Sequence, residues 1–589
     1  FNPVIQAALK NDREKISGRA KSITAVGDTI NLPFIEDFSR GGIFPCACLW
    51  TDSSVFINSD FPNNPPTFGV ATFDGVDKNG NPYNSAVSSY DVADVMTSKP
   101  IDLDFQNDTT IWLSFFYQPQ GLGYAPAGRD SLVLEFFGSD NIWHRVWSKP
   151  GSSNTAFVQR MIKIDSTLYL YNGFRFRFMN YASLSGMLDQ WNLDYIRLDR
   201  NRSASDTSII NDVAFVKRSL SVLNNYQSVP YPHYKSDTSV AMGSQKNVLL
   251  GNLDNNPDTV NHDLQFLRDD FSLDYQTGDS QVNLPAHGTA NSNKNFSFHF
   301  PSISGQDSLV YYVQNIINTP DNNPANDTLL ERQELYNYYA YDDGTAEGGY
   351  GLTVTGSEIA YQFSLLMTDT LRAVQMRFVP VDEDVHLHLF NILMWTNLSS
   401  TPTILASSQA PHYDSQYNSV PFTDSINGFH TYILDNPVVV GGTIYIGWQQ
   451  LDATVLRLGF DKNINSSSKM FFNVTGTWQN SALAGSWMIR PVFGKVLPVV
   501  VSTGNEIESE NKISVYPNPA SDFIMIKNNS GIGEKVFFRI YDVMGRMISA
   551  GQVNDQRINV STLKNGLYQI VFSENNLQTI GSRKIIISR

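Results

Sequence analysis

Residues 111–117 read IWLSFFY, residues 131–137 read SLVLEFF and residues 174–178 read FRFRF. Each run alternates or is continuously apolar, and each is rich in aromatic residues, as β-strands are. Gly, Pro, Asn and Asp cluster between them, at 121–128 and 149–153, where turns need such residues. Short strands at this spacing predict a β-sandwich. Further strand-like runs lie at 247–250, 296–300 and 308–313, then at 359–363, 370–378, 386–394 and 443–448. The fold class read from them is all-β.

At 589 residues the chain exceeds what one hydrophobic core supports. Composition shifts divide it into an N-terminal extension (1–30), a jelly-roll sandwich (31–201), an immunoglobulin-like sandwich (206–333), a second jelly roll (336–497), a polar linker (498–511) and a small β-sandwich (512–589). The immunoglobulin-like segment has neither Cys nor Trp, so it is not of the antibody subclass. Lys and Arg number 42 against 57 Asp and Glu, a net charge of −15 without a basic stripe, which argues against a nucleic-acid partner. No run of 18 apolar residues exists, so no transmembrane segment is expected. The first residue is Phe1, which reads as a mature form whose signal peptide has been removed. Cys46 and Cys48, two apart, are read as free thiols, a tight local disulfide, or metal ligands completed from outside.

The last 80 residues carry an ordered set of motifs: Tyr516-Pro517-Asn518-Pro519, then Asp542 with Gly545-Arg546, then Gly566 and Tyr568, then Lys584 before an apolar ending. This set resembles the type A C-terminal sorting domain of the type IX secretion system of Bacteroidota. The resemblance implies export through the periplasm to the outer-membrane surface or medium of a Gram-negative bacterium. It implies three partners in the secretion machinery, namely the outer-membrane translocon, the shuttle β-barrel and the sortase. It also implies that the tail is an export signal that is usually cleaved. FIEDF at 34–38, ATFDG at 71–75 and WNLDYIRLD at 191–199 resemble MAM-like jelly-roll modules of bacterial surface proteins.

The motifs of zincins, nucleophile-elbow hydrolases and P-loop enzymes are absent. His386 and His388 would share one strand face, with no third ligand nominated. Asp342, Asp343 and Glu347 in YDDGTAEGGY are the first suspects for a glycosidase acid–base pair, against a plain Gly-rich turn. Asp74, Asp77 and Asn79 form an oxygen-rich loop suited to Ca²⁺, against ordinary Asx turns. In jelly rolls a structural ion ties the first strand to the last, and by that resemblance Glu36 or Asp37 and Asp194 would join it. No other cofactor is expected. Asp-Ser/Thr pairs at Thr29, Thr109, Ser131, Ser166, Thr259, Ser308, Thr328, Thr370 and Ser425 resemble the O-glycosylation sequon of Bacteroidota. The resulting expectation is a non-enzymatic secreted or surface protein for adhesion, scaffolding or glycan/protein binding. The rivals are a secreted hydrolase with carboxylates in a jelly roll, and an accessory protein held at the translocon.

Overall fold

FRFRF occupies the centre of a long strand whose alternation sorts its side chains between two environments. Phe174, Phe176 and Phe178 are fully buried, while Arg175 and Arg177 are half-exposed on the opposite face. A strand has a side-chain period of two, so one face of its sheet packs and the other meets solvent. Burial of each phenylalanine contributes roughly 1.5–3 kcal/mol.

The computed structural model describes residues 29–494 and 513–587, except 40–41, 79, 85–88, 207–209, 322, 382–387, 412–428, 517, 519, 529–535, 543–546, 554–556, 565 and 575–577. Its strands pair antiparallel throughout, and the helices among the described residues are short, Tyr231–Ser236 and Thr238–Ala241.

Eleven strands make the first sandwich: β1 (Phe34–Glu36), β2 (Phe56–Asn58), β3 (Val70–Gly75), β4 (Tyr90–Thr97), β5 (Ile101–Asp102), β6 (Trp112–Pro119), β7 (Ser131–Phe137), β8 (Trp143–Pro150), β9 (Val158–Lys163), β10 (Asn172–Ser183) and β11 (Gly186–Asp199). One sheet runs β2-β3-β11-β6-β9 with β1 beside β11, and the other runs β4-β10-β7-β8 with β5 beside β10. Their shared core includes Phe34, Trp50 and Phe176, packed edge to face with ring centres 5.2–5.7 Å apart. Cys46 and Cys48 are bonded to each other beside this sandwich.

The second sandwich pairs a sheet of β12 (Val213–Phe215), β13 (Gln245–Asn252) and β17 (Thr289–Asn295) with one of β14 (Asp258–Arg268), β15 (Leu273–Gln276), β16 (Ser280–Leu284), β18 (Leu309–Asn318) and β19 (Thr328–Leu335). Beyond it, a six-stranded sheet ordered 403–409, 390–395, 443–450, 358–364, 470–473, 478–480 packs with smaller sheets built on 369–376 and 458–461. One apolar cluster runs from Val222 through Tyr311, Tyr339 and Trp448 to Phe493. A bridge between Gly186 and Val381 joins the first sandwich to this region. At Gly186 φ is 144°, and a Cβ would sit 2.5 Å from the Pro380 carbonyl oxygen, so only glycine permits the approach.

Residues 1–496 form one compact unit and residues 497–589 a second. In the second, a sheet ordered 513–516, 523–528, 557–559 and another ordered 547–552, 536–542, 566–574, 578–587 enclose Ile524, Ile540, Ile558, Ile570 and Ile585.

Candidate functional site

The solvent-facing side of the β4-β10-β7-β8 sheet carries two cross-strand rows. In the first, Phe137 lies opposite both Arg175 and Trp143. The Arg175 guanidinium sits 4.3 Å from the centre of the Phe137 ring, and Arg177 sits 4.3 Å from that of Trp143. In the second row, Glu135 lies opposite Arg177 and Arg145, and Arg177 Nη2 donates to Glu135 Oε2 at 2.7 Å. Arg145 continues the row over Tyr181 at 5.8 Å. Three guanidinium groups thus stand on a half-exposed aromatic face against one carboxylate, in a chain that is acidic as a whole. Stacking on rings contributes about 0.5–1 kcal/mol at such exposure and leaves the guanidinium edges able to donate, as Arg177 already does to Glu135 through Nε and Nη2. The alternation in FRFRF was the signal for Arg175 and Arg177. Trp143 and Phe137 join them through strand register, which no local pattern specifies.

A concavity, about 680 Å³ counted out to open solvent, lies between the first sandwich and the 345–380 region. Phe44, Phe56, Asp74, Asp77, Lys78 and Arg377 are among the residues that line it. Burial pushes the Asp74 carboxyl up to about 7. Behind it, Asp94 is held well above the carboxylate range by burial and by Asp74, while accepting from the Asp74 backbone N–H and the Tyr83 hydroxyl, each at 2.8 Å.

Of the residues nominated for calcium, Asp37 and Asp194 are neighbours, and the side chains of the others lie apart from them. Glu36 accepts from the Phe38 backbone N–H and from Trp50 Nε1, both at 3.1 Å. Asp77 Oδ1 accepts from the Asn81 backbone N–H at 3.0 Å within its own turn, and Asn79 lies outside the described residues. Asp194 accepts from the Thr67 N–H at 3.0 Å and hydroxyl at 3.1 Å. Asp37 faces the second sandwich, with Oδ2 2.7 Å from Asn323 Nδ2. Among the described residues no three His, Cys, Asp or Glu side chains converge as a metal-holding group.

Of the YDDGTAEGGY carboxylates, Asp342 and Glu347 are interior and Asp343 is half-buried. Asp342 is paired with Arg490 at 2.6 Å. Asp343 Oδ1 accepts from the Thr345 N–H and hydroxyl; burial and nearby Asp60 push it up to about 7 against the pull of Arg218. Glu347 is fully buried and accepts from the Lys462 backbone N–H at 2.7 Å. Burial, then Asp343, holds Glu347 and its neighbour Asp461 well above the carboxylate range. Asp342, Glu347 and Asp461 are poorly placed to touch a substrate. His388 pairs with Asp452 at 2.8 Å, and His386 lies outside the described residues.

In the C-terminal unit, Tyr516 and Asn518 are exposed. Asp542 lies opposite Tyr568 in the sheet, Gly566 opposite Ile587 and Lys584 opposite Gln569. Pro517, Pro519, Gly545 and Arg546 lie outside the described residues. Of the sequon positions, Thr109, Ser166, Thr259, Ser308 and Thr328 are exposed, and Thr29, Ser131 and Thr370 half-buried. Ser425 lies outside the described residues.

A model of the secretion system C-terminal sorting domain family matches residues 514–588. The chain therefore ends in a type IX sorting domain and is a cargo protein exported to the cell surface or beyond. No helix among the described residues is long and apolar enough to cross a membrane. β-Agarase D of Zobellia galactanivorans is 35% identical over 77 residues, which are 13% of this chain and 15% of that protein. Among solved structures, a carbohydrate-binding module specific for non-crystalline cellulose aligns at 12% identity and a TM-score of 0.18, over 26% of this chain and 86% of that one. A Caldicellulosiruptor saccharolyticus module in complex with mannohexaose aligns at 14% and 0.20, over 29% and 98%. Likeness at these scores says nothing of what this chain binds.

Proposed function

We propose that the exported unit is a non-catalytic receptor for glycans bearing carboxylate or sulfate groups. The observation that carries this reading is the paired rows of Phe137, Trp143 and Arg175 and of Glu135, Arg177 and Arg145. Guanidinium forks match planar oxyanions bidentately, and aromatic edges between them offer apolar contact to sugar rings. The arginines are already ordered by their rings, which lowers the entropy lost on binding. The test is affinity electrophoresis against uronate-containing, sulfated and neutral polysaccharides. Salt-sensitive retardation by the acidic polymers is expected, weakened at least tenfold by Arg175→Gln or Trp143→Ala. Equal binding of neutral polymers, or none at all, would overturn the reading.

A secreted hydrolase is the second reading, favoured by the buried Asp74–Asp94 carboxyl pair at the wall of an aromatic-lined cleft and by the partial likeness to an agarase. Turnover of agarose or a related polymer that disappears in Asp74→Asn would establish it against the first.

A further inference from the structure

Where the first and second sandwiches meet, five carboxylates gather without a cation. Asp37 follows β1, Asp194 lies in β11, Asp212 precedes β12, and Asp321 and Asp327 bracket the turn between β18 and β19. No lysine or arginine forms an ion pair with any of them among the described residues. Several have local partners. Asp194 is bonded to Thr67, and Asp321 accepts from the Val213 and Asn323 backbone N–H groups at 2.9 and 3.0 Å. Asp37 and Asp212 face each other across two carboxamides, and the Tyr195 side chain is also hydrogen-bonded to Asp212. Asn326 Nδ2 lies 3.2 Å from Asp37 Oδ2 and 3.2 and 3.1 Å from the two oxygens of Asp212. Asn323 Nδ2 lies 2.7 Å from Asp37 Oδ2 and 3.4 Å from Asp212 Oδ2. The Ser39 hydroxyl completes the Asp37 side at 2.8 Å.

One amide nitrogen has two hydrogens, yet Asn326 Nδ2 is surrounded by three carboxylate oxygens. Its own Oδ1 is buried and has no hydrogen-bond partner, in a side chain only 3% exposed. Leaving such an acceptor unpaired is unfavourable, and so is keeping two carboxylates in a buried site with no counter-charge. A half-turn of the carboxamide would exchange its nitrogen for that orphan oxygen. The exchange is unfavourable beside bare carboxylates and favourable around a cation. Two carboxylates, two amide oxygens, a hydroxyl and water form the hard, mixed oxygen set that Ca²⁺ takes in extracellular modules.

The geometry points to a calcium site formed by Asp37, Asp212, Asn323 and Asn326, joining the first sandwich to the second. It differs from the 74–81 loop, and Glu36 is turned away from it.

The test is isothermal titration of chelator-stripped, full-length protein with calcium chloride, together with thermal melts. One site is expected, with a higher melting temperature in Ca²⁺. Asp212→Asn and Asn323→Ala should each weaken binding at least tenfold, and Asp77→Asn and Glu36→Gln should leave it unchanged. Asn326→Asp keeps the question open even where Asp212→Asn fails to fold. It adds a charged ligand, so it should tighten binding and lower the melting temperature of the calcium-free protein. Absence of a calcium site, loss of it with Asp77→Asn, or unaltered affinity in Asn326→Asp would each overturn the proposal.

Discussion

The Arg490 guanidinium meets the Asp342 carboxylate at 2.6 Å with both side chains almost wholly buried, 148 residues apart in sequence. Arg490 also covers the Phe429 ring at 3.8 Å. Replacing Arg490 with Met leaves a buried carboxylate alone, which costs about 3–5 kcal/mol. Urea denaturation of the variant should show that loss. The double variant Asp342→Leu with Arg490→Met should recover most of it, because an apolar pair of similar size needs no counter-charge.

Stability should fall as pH rises from about 4 to 8. Asp343 is raised to about 7 and Asp327 to about 8, chiefly by burial, against about 4 for an unfolded carboxyl. In that window the native state holds more protons than the unfolded state, so the slope of unfolding free energy with pH is negative. Below pH 4 both states are protonated and these groups add no slope. Melts in chelator at pH 5 and pH 8 should show the higher midpoint at pH 5. Asp343→Asn should flatten the dependence, and an unchanged slope would count against the buried-carboxyl account.

Glu36→Gln separates a structural role from a metal role for that residue. The carboxylate receives two donors at 3.1 Å, one from Trp50 at the core triad. Loss of its charge should lower stability by about 1–2 kcal/mol while the response of the melting temperature to Ca²⁺ stays as in the parent. Loss of that response would return Glu36 to the set of ligands.

Deleting 497–589 removes a unit with its own core. The remaining chain should melt at the parent temperature and accumulate in the periplasm. Surface display of the truncated protein, followed by protease shaving of intact cells, would defeat the assignment of export to this domain.

Much of the fold was legible because its signals are local. Period-two alternation marks a strand within five residues, as in FRFRF, and Gly and Asp mark turns by their own backbone chemistry. The tail was legible as an ordered series of short motifs. The nominated sites fared differently. Asp342, Asp343 and Glu347 look like an accessible acidic loop in sequence, yet Asp342 and Glu347 pack inward, because Arg490 and the Lys462 amide come to them from elsewhere in the chain. Nothing in the sequence near Asp37 or Asp212 pointed to the Asn323–Asn326 turn.

Alone, then, the sequence determined that this protein is all-β and that its last segment carries an export address. Both rest on residues close together in the chain, whose preferences act before any long-range contact forms. Only the tertiary structure decided which charges face solvent and which face each other. It set Arg175 beside Phe137 and Trp143 through antiparallel register, and it brought Asn326 to Asp37 across 289 residues. Such encounters depend on how whole sheets pack, and packing is a sum over many distant contacts that no short stretch encodes.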